Sequence, residues 1–527
     1  GATGFGGANG GKEIQGQITL PYYLTAPAVV ASTGEDAAVT TAAQTVILNT
    51  EMTGDTTIGA ILKGVLTNGM TEEEAAAVVI PTKDVDGESY VNGRYPFAQK
   101  TSDVTVPVLV HMPDADNNDA LDCGSAVGAL CPVTIFVHGV GRNRTDSLPL
   151  ANGGLVAIGS ATVAIDLPLH GLTATNGTAL AFSFDDAATA TLTANSLPNV
   201  VNAALGTVVG ERHFGYGATA AGALTPLVYD DVTTGDVNEA DVATSYPTFM
   251  NNDSAANFIN FTNFAVTRDL LRQSSMDMLN LAASLGDMDV DGDGLTPDFD
   301  VANVHVVGHS LGSIVAVNFV HSLNTARYLD GQALTVPLLP EIKSMSLVTP
   351  GGQLTRLLEN SVGFAGLLDA PFLTPDTTTA NPNFGLLAGL KSAGATQGTS
   401  DFESFMNIFQ GLIDEVDPIS KASSALLAAT PTLAIEVIGD GATEIVDGVT
   451  INKSDQTIPN EAGTTPLNGA NKAPLAGTEP LIAELGLANN LVSTLGSFNP
   501  GARQVMRLTM GEHSSLLTAN PASVDAE

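Results

Sequence analysis

Basic residues are scarce in this chain. Only 19 Lys and Arg stand against 56 Asp and Glu in 527 residues, a formal net charge of −37. Without a basic surface it cannot displace counterions from phosphate, which argues against nucleic acid as a partner. An anionic membrane repels it on average, although a local apolar patch can still dock. The surplus of acid reads as a surface suited to salty or extracellular surroundings. Long apolar runs are missing as well: no stretch approaches the ~20 residues of a membrane span. The opening GATGFGGANGGKEIQG has neither a basic n-region nor an apolar h-region, so no signal segment is expected within it.

Cysteine is almost absent too. The two present, Cys123 and Cys131, lie eight apart in LDCGSAVGALCP, among Gly and small residues that let a loop close. A bridge there would stabilise by about 2.5 kcal/mol on loop-entropy grounds and would place the protein in an oxidising compartment, secreted or at the cell surface. Two cysteines without neighbouring histidines make a poor metal site.

What is present is enough apolar residue, 44%, for a large core, in one large domain with insertions or in two domains. The first 15 residues read as a flexible Gly-rich start and 16–527 as the folded part. Short β-branched runs recur: 13–24, 103–113, 132–139, 161–168, 303–310, 343–352, 432–440 and 503–513. The first two alternate, as half-exposed antiparallel strands do; the later ones are nearly continuous, as buried parallel strands are. Helical patterns fall between them. In 264–286, Leu270, Leu271, Met278 and Leu281 share a face, with Arg268, Asp269 and Arg272 on others. Residues 311–326 are apolar nearly all round. Strand and helix in alternation predict an α/β fold with a mostly parallel sheet. Two connections, 171–263 and 353–430, are too long for simple crossovers and read as lid or cap insertions or as structural decoration.

The chemistry centres on VHVVGHSLGSIVAVNFV, 304–320. G-x-S-x-G is a weak signal alone in a chain with 54 glycines. Its setting is stronger: a β-branched strand before, a helix free of Gly and Pro after. Gly308 and Gly312 would let strand and helix cross closely, lifting the Ser310 hydroxyl out of the sheet as a nucleophile. Such a hydroxyl needs a base. In this architecture the order is serine, acid, histidine, and only His321 and His513 follow Ser310. His321 belongs to the same helix, which leaves His513. For the acid, Asp455 in DQTIP is preferred to Asp440 at the end of TLAIEVIGD, the residues between reading as a hairpin excursion. The oxyanion needs two N–H donors. Leu311 follows the nucleophile, and Val140 lies in the loop FVHGVGRNR, which His138 would support; Asp166 and His170 in IDLPLHG read as structural or rim residues.

One acidic stretch stands apart. DVDGDGLTPDFD (289–300) sets Asp289, Asp291, Asp293 and Asp300 at places 1, 3, 5 and 12, with Gly294 at 6. That is the spacing of a calcium loop, and equally of a solvated acidic turn. Calcium there would be structural; the chemistry itself needs no cofactor.

The motifs HGVGRNR, AIDLPLHG, FINFTNFAVTRDLLRQ, DGDG ahead of VGHSLG, TPGG and EHSSLL resemble, in that order, the bacterial virulence-factor or extracellular lipase family of α/β-hydrolases. The resemblance runs over roughly 15–520. It implies an α/β-hydrolase fold, a mostly parallel central sheet flanked by helices with lid or cap insertions. It also implies a secreted or surface-attached carboxylic ester hydrolase, lipases and phospholipases of the A type among them. An ester or lipid substrate and transient contact with a lipid or other ester surface go with it. Competing expectations are a short-chain esterase or polyester hydrolase with an open cleft, and a non-catalytic surface-binding module on the same fold.

Overall fold

Two long antiparallel strands open the sheet: β1 (Gly11–Tyr22) pairs with β2 (Ser102–Pro113) along its whole length. A computed structural model describes the chain outside residues 1–10, 28–36, 81–88, 93–94, 114–122, 124–129, 172–199, 203–206, 210, 215, 219–223, 227–228, 232–235, 238–253, 261–262, 291–293, 295, 331–338, 362–363, 365–389, 391–392, 397, 440–442, 447–448, 453, 463–472, 488–490, 493–500 and 518–527. β1 starts at Gly11, inside the stretch expected to be a flexible start. β2 was expected to be half exposed, yet it is buried from Val106 to Pro113. The short helical segment 144–158 packs on it, and β4 pairs along its other edge.

The remaining main strands are β3 (Cys131–Val137), β4 (Ala161–Ile165), β5 (Phe299–His309), β6 (Ile342–Val348), β7 (Thr432–Val437) and β8 (Gln504–Leu508). Across the sheet they run 1-2-4-3-5-6-7-8. Every neighbouring pair from β4 to β8 is parallel, while β2 opposes both β1 and β4. Short strands extend the edges, Thr207–Val209 beside β2 and Leu491–Val492 beside β8. This order, with a serine on the bend after the fifth strand, is the α/β-hydrolase fold.

Helices α1 (Ala37–Asn49), α2 (Thr56–Leu66) and α3 (Glu72–Ala77) fill the connection from β1 to β2. α4 (Phe264–Ser284) starts where the Asn263 side chain accepts from Ala265 N–H. Its Asp269, expected off the apolar face, is fully buried. The carboxylate accepts the Met52 N–H at 2.7 Å and is held by Arg268 and Arg272, so its charge is neutralised inside rather than in water.

α5 (Leu311–Asp330) packs under β3, β5 and β6 and against α4. Ile314, Val315, Val317, Phe319, Val320 and Leu323 are all buried, as the all-round apolar pattern implied. Each stabilises by roughly 1.5–3 kcal/mol relative to an exposed position. In 353–430 the described parts are mainly α6 (Leu354–Asn360), α7 (Ser400–Ile413) and the short turns that follow; 365–389 lie outside the described residues, as do 172–199 and 238–253 of the first insertion. After β7 the expected excursion is a hairpin, Thr443–Val446 against Val449–Asn452. Cys123 and Cys131 are disulfide-bonded, their Cα atoms 4.9 Å apart, tying the approach to β3 onto its first residue.

Candidate active site

Ser310 is buried and has φ 56°, left-handed backbone that a residue with a Cβ adopts at a cost of roughly 1–3 kcal/mol. Three bonds over-determine the bend. Ser310 N–H donates to Val348 O at 2.9 Å, and its carbonyl accepts from Ser313 and Ile314 N–H. The glycines are obligatory. A Cβ on Gly308 would stand 2.4 Å from Gly312 O, and one on Gly312 would stand 1.9 Å from Val137 O, the end of β3. A third, Gly139, brings the next loop in: a Cβ there would be 3.2 Å from Ser310 Cβ and 3.0 Å from His309 Nδ1. Thr349, at the end of neighbouring β6, also has positive φ, 44°. Strain is thus concentrated where β5 and β6 end, as at functional sites generally.

The acid loop is hung from β7. After the hairpin the chain returns, and Asp455 N–H donates to Val437 O at 3.0 Å. Asp455 Oδ1 accepts from Thr457 and Ile458 N–H at 2.8 and 3.0 Å, which leaves Oδ2 free to face Nδ1 of His513 at 2.6 Å. A carboxylate can only accept here, so His513 carries its proton on Nδ1 and presents Nε2 as the basic lone pair. His513 follows β8, and four residues later Leu517 is buried against Phe136 and Ala164. Its ring centroid lies 5.1 Å from that of His309, the residue before Ser310. Neither Ser310 Oγ nor His513 Nε2 carries a hydrogen bond among the described residues. Asp440 lies outside the described residues.

Two backbone donors are unspent. Val140 and Leu311 are both buried, and neither N–H has an acceptor among the described residues. Leu311 is the first residue of α5, whose N–H groups have no intrahelical partner and whose dipole favours negative charge there.

Two histidines hold the Val140 loop, and both are buried, so His170 is not on the rim. His138 Nε2 accepts from Leu167 N–H and its Nδ1 donates to Gly139 O; His170 Nε2 accepts from Gly141 N–H and its Nδ1 donates to Pro168 O. Each ring therefore has one donating and one accepting nitrogen, the neutral form. Burial lowers both, His170 to about 3. They are structural supports.

Beneath them lies an ion cluster that the sequence did not reveal. Arg144 bonds Asp166 and reaches Glu211 through two 2.8 Å contacts; Arg212 bonds Asp277 at 2.5 Å and donates to Asp166 O at 3.0 Å. All five side chains are buried. Burial alone would raise Asp166, but the Arg144 guanidinium holds it below its ordinary value. For Asp277 burial wins over Arg212, and the carboxyl is raised. A signal existed: Arg212 is the only Lys or Arg between 171 and 263.

In the acidic loop, Asp289 Oδ2 accepts from Gly294 N–H at 3.0 Å, and Asp300 accepts from Ala302 N–H and the Asn303 amide. Asp291 and Asp293 lie outside the described residues. Among the described residues no group of three His, Cys, Asp or Glu could hold a metal ion.

Fold and bend together define a protein of the α/β-hydrolase class. No family model and no curated protein matches the chain. Solved structures do. An acetyl xylan esterase from Paenibacillus sp. R4 has 11% identity over 80% of this chain and 78% of its own, with a TM-score of 0.34. A membrane phospholipase A described as a novel bacterial virulence factor has 13% identity over 77% and 76%, with a TM-score of 0.26. Carboxyl esterase 2 from the mycorrhizal fungus Tuber melanosporum has 12% identity over 80% and 79%, with a TM-score of 0.30. At such values the likeness adds nothing to the strand order.

Proposed function

We propose that the chain is a serine carboxylic ester hydrolase, of lipase, esterase or phospholipase A type, working through Ser310, His513 and Asp455. The observation that carries this is the meeting of a left-handed Ser310, two unspent N–H donors beside it, and a histidine oriented by a carboxylate. Ser310 Oγ adds to the ester carbonyl while His513 Nε2 takes its proton, and Asp455 stabilises the imidazolium through Nδ1–H. The carbonyl electrons move onto oxygen, which the Leu311 and Val140 N–H groups receive. Collapse expels the alcohol, protonated by Nε2–H. Water then gives a proton to Nε2, attacks the acyl-enzyme and releases the acid and Ser310. The missing Ser310–His513 bond is compatible with this, since catalytic hydrogen bonds commonly tighten only around substrate.

The Cys123–Cys131 bridge and the acidic composition support a secreted or cell-surface setting. Exposed Ile408 and Leu412 on α7 support transient contact with a lipid or other ester surface. A calcium ion bound by Asp289, Asp291, Asp293 and Asp300 would belong to the frame, not to the chemistry.

The test combines a fluorophosphonate probe with hydrolysis of triglyceride, phospholipid and short aryl esters, with and without chelator. Labelling of Ser310 and loss of all hydrolysis in Ser310→Ala are expected. A folded protein that takes no label and cleaves no ester would be a surface-binding module instead. Cleavage confined to short esters would make it a short-chain esterase.

A further inference from the structure

His309 occupies the variable place of Gly-His-Ser-Leu-Gly, where sequence gives it no task. The structure gives it three contacts at once, with two residues. Its Nε2 lies 3.0 Å from the carbonyl oxygen of His513. Its ring is tilted 49° to that of His513, the centroids 5.1 Å apart. Its Nδ1 points to Gly139, so closely that a Cβ there would sit 3.0 Å away. A carbonyl can only accept, so the ring proton is on Nε2 and is spent on the His513 main chain. Nδ1 is then a buried lone pair without a partner, one that costs stability and that an apolar residue of the same size would not carry. A buried polar ring kept at that cost calls for a compensating task.

We propose that His309 is a positioning residue for the base: its Nε2–H fixes the main chain of His513 to the nucleophile strand. The inference rests on the ester-hydrolase reading. Asp455 orients the His513 ring from its outer nitrogen, but it hangs from β7, two strands away from the serine. His309 is covalently joined to Ser310, so its bond to His513 O makes base and nucleophile move together. The same ring rests against Gly139, beside the Val140 donor. One side chain thus ties the loop of the base and the loop of the oxyanion to the residue before the nucleophile. Misplacement by about 1 Å at such a site costs on the order of 10²-fold in rate.

The experiment compares His309→Phe, which keeps an aromatic ring without the donor, with His309→Gln, whose amide nitrogen stands where Nε2 stands. Turnover of a short aryl ester and the labelling rate of Ser310 by fluorophosphonate are read beside melting temperature. The Phe variant should lose at least about tenfold in kcat and in labelling rate, with KM within twofold, and Gln should restore half or more of the loss. Should the Phe variant not fold, His309→Asn, too short to span the contact, takes its place with the same expectation. Phe or Asn activity within twofold of the parent overturns the proposal, and so does a Gln variant as slow as either. Ser310→Ala separates the two failures. If it leaves hydrolysis intact, the ester-hydrolase reading falls first; if it abolishes hydrolysis while His309→Phe changes nothing, only the positioning role falls.

Discussion

Asp455 and His513, 58 residues apart in sequence, meet through a single contact of 2.6 Å between Oδ2 and Nδ1. The other carboxylate oxygen closes its own loop by accepting two backbone N–H groups. This division of labour makes an amide substitution unusually clean. In Asp455→Asn the side-chain oxygen can keep Thr457 and Ile458, so the loop stays formed, while an NH₂ faces the imidazole. The expected result is a fall in kcat of about 10²–10⁴-fold with little change in melting temperature. Kinetics together with calorimetry check it. Near-parental turnover would remove Asp455 from the mechanism.

Glycine at 312 is demanded by Val137 O, 1.9 Å from where a Cβ would stand, whereas Gly16 in β1 has nothing within 4 Å. Gly312→Ala should therefore destabilise by about 2 kcal/mol or more and displace Ser310; Gly16→Ala should leave stability within about 0.5 kcal/mol. Urea titration of the pair reads the difference. Equal effects would mean that the strand–helix crossing is looser than described.

The two arginines of the HGVGRNR loop should differ in what they contribute. Arg144 is buried between Asp166 and Glu211, while Arg142 is partly exposed beside Asp146. Arg144→Met strands two buried carboxylates and should cost about 3–5 kcal/mol. Arg142→Ala strands one carboxylate, the buried Asp146, at a place water can reach, and should cost less, about 1–3 kcal/mol. Denaturant midpoints measured side by side decide the matter, and comparable losses would contradict the burial of the cluster.

A pH dependence of stability comes from β7. Burial, reinforced by Glu479, raises the Glu436 carboxyl from its ordinary 4.5 to about 8, against the pull of Arg507. A carboxyl that holds its proton more tightly folded than unfolded stabilises the fold fully below pH 4.5, and this contribution is lost as pH rises through about 8. Glu436→Gln stays neutral and removes that slope. Between pH 5 and 8 its melting temperature should fall less than the parent's, by on the order of 1–3 °C. Parallel melting curves across that range would show that Glu436 titrates normally.

Much of the frame was legible because strands buried on both faces spell themselves as β-branched runs, and because Gly308 and Gly312 mark the one place where strand and helix must nearly touch. The hairpin after β7 was readable for the same local reason. Partnership between distant charges was not. The helical pattern set Asp269 off the apolar face but could not show its burial, because the Met52 N–H that it accepts lies 217 residues away. Arg144 and Glu211 likewise find each other across 67 residues. A sequence shows where charges are and is silent on who neutralises them. His309 was overlooked because a spacer in a motif invites no question until its ring has neighbours.

On the proposed mechanism, the strand order also decides when the protein becomes active during its synthesis. The serine follows the fifth strand, the carboxylate the seventh and the imidazole the eighth, so a growing polypeptide that has already completed its elbow still has no base. Only after the final strand docks beside its neighbour does the last of these groups arrive. On the proposed mechanism, a chain whose eighth strand has not yet docked needs no inhibitor to keep it harmless.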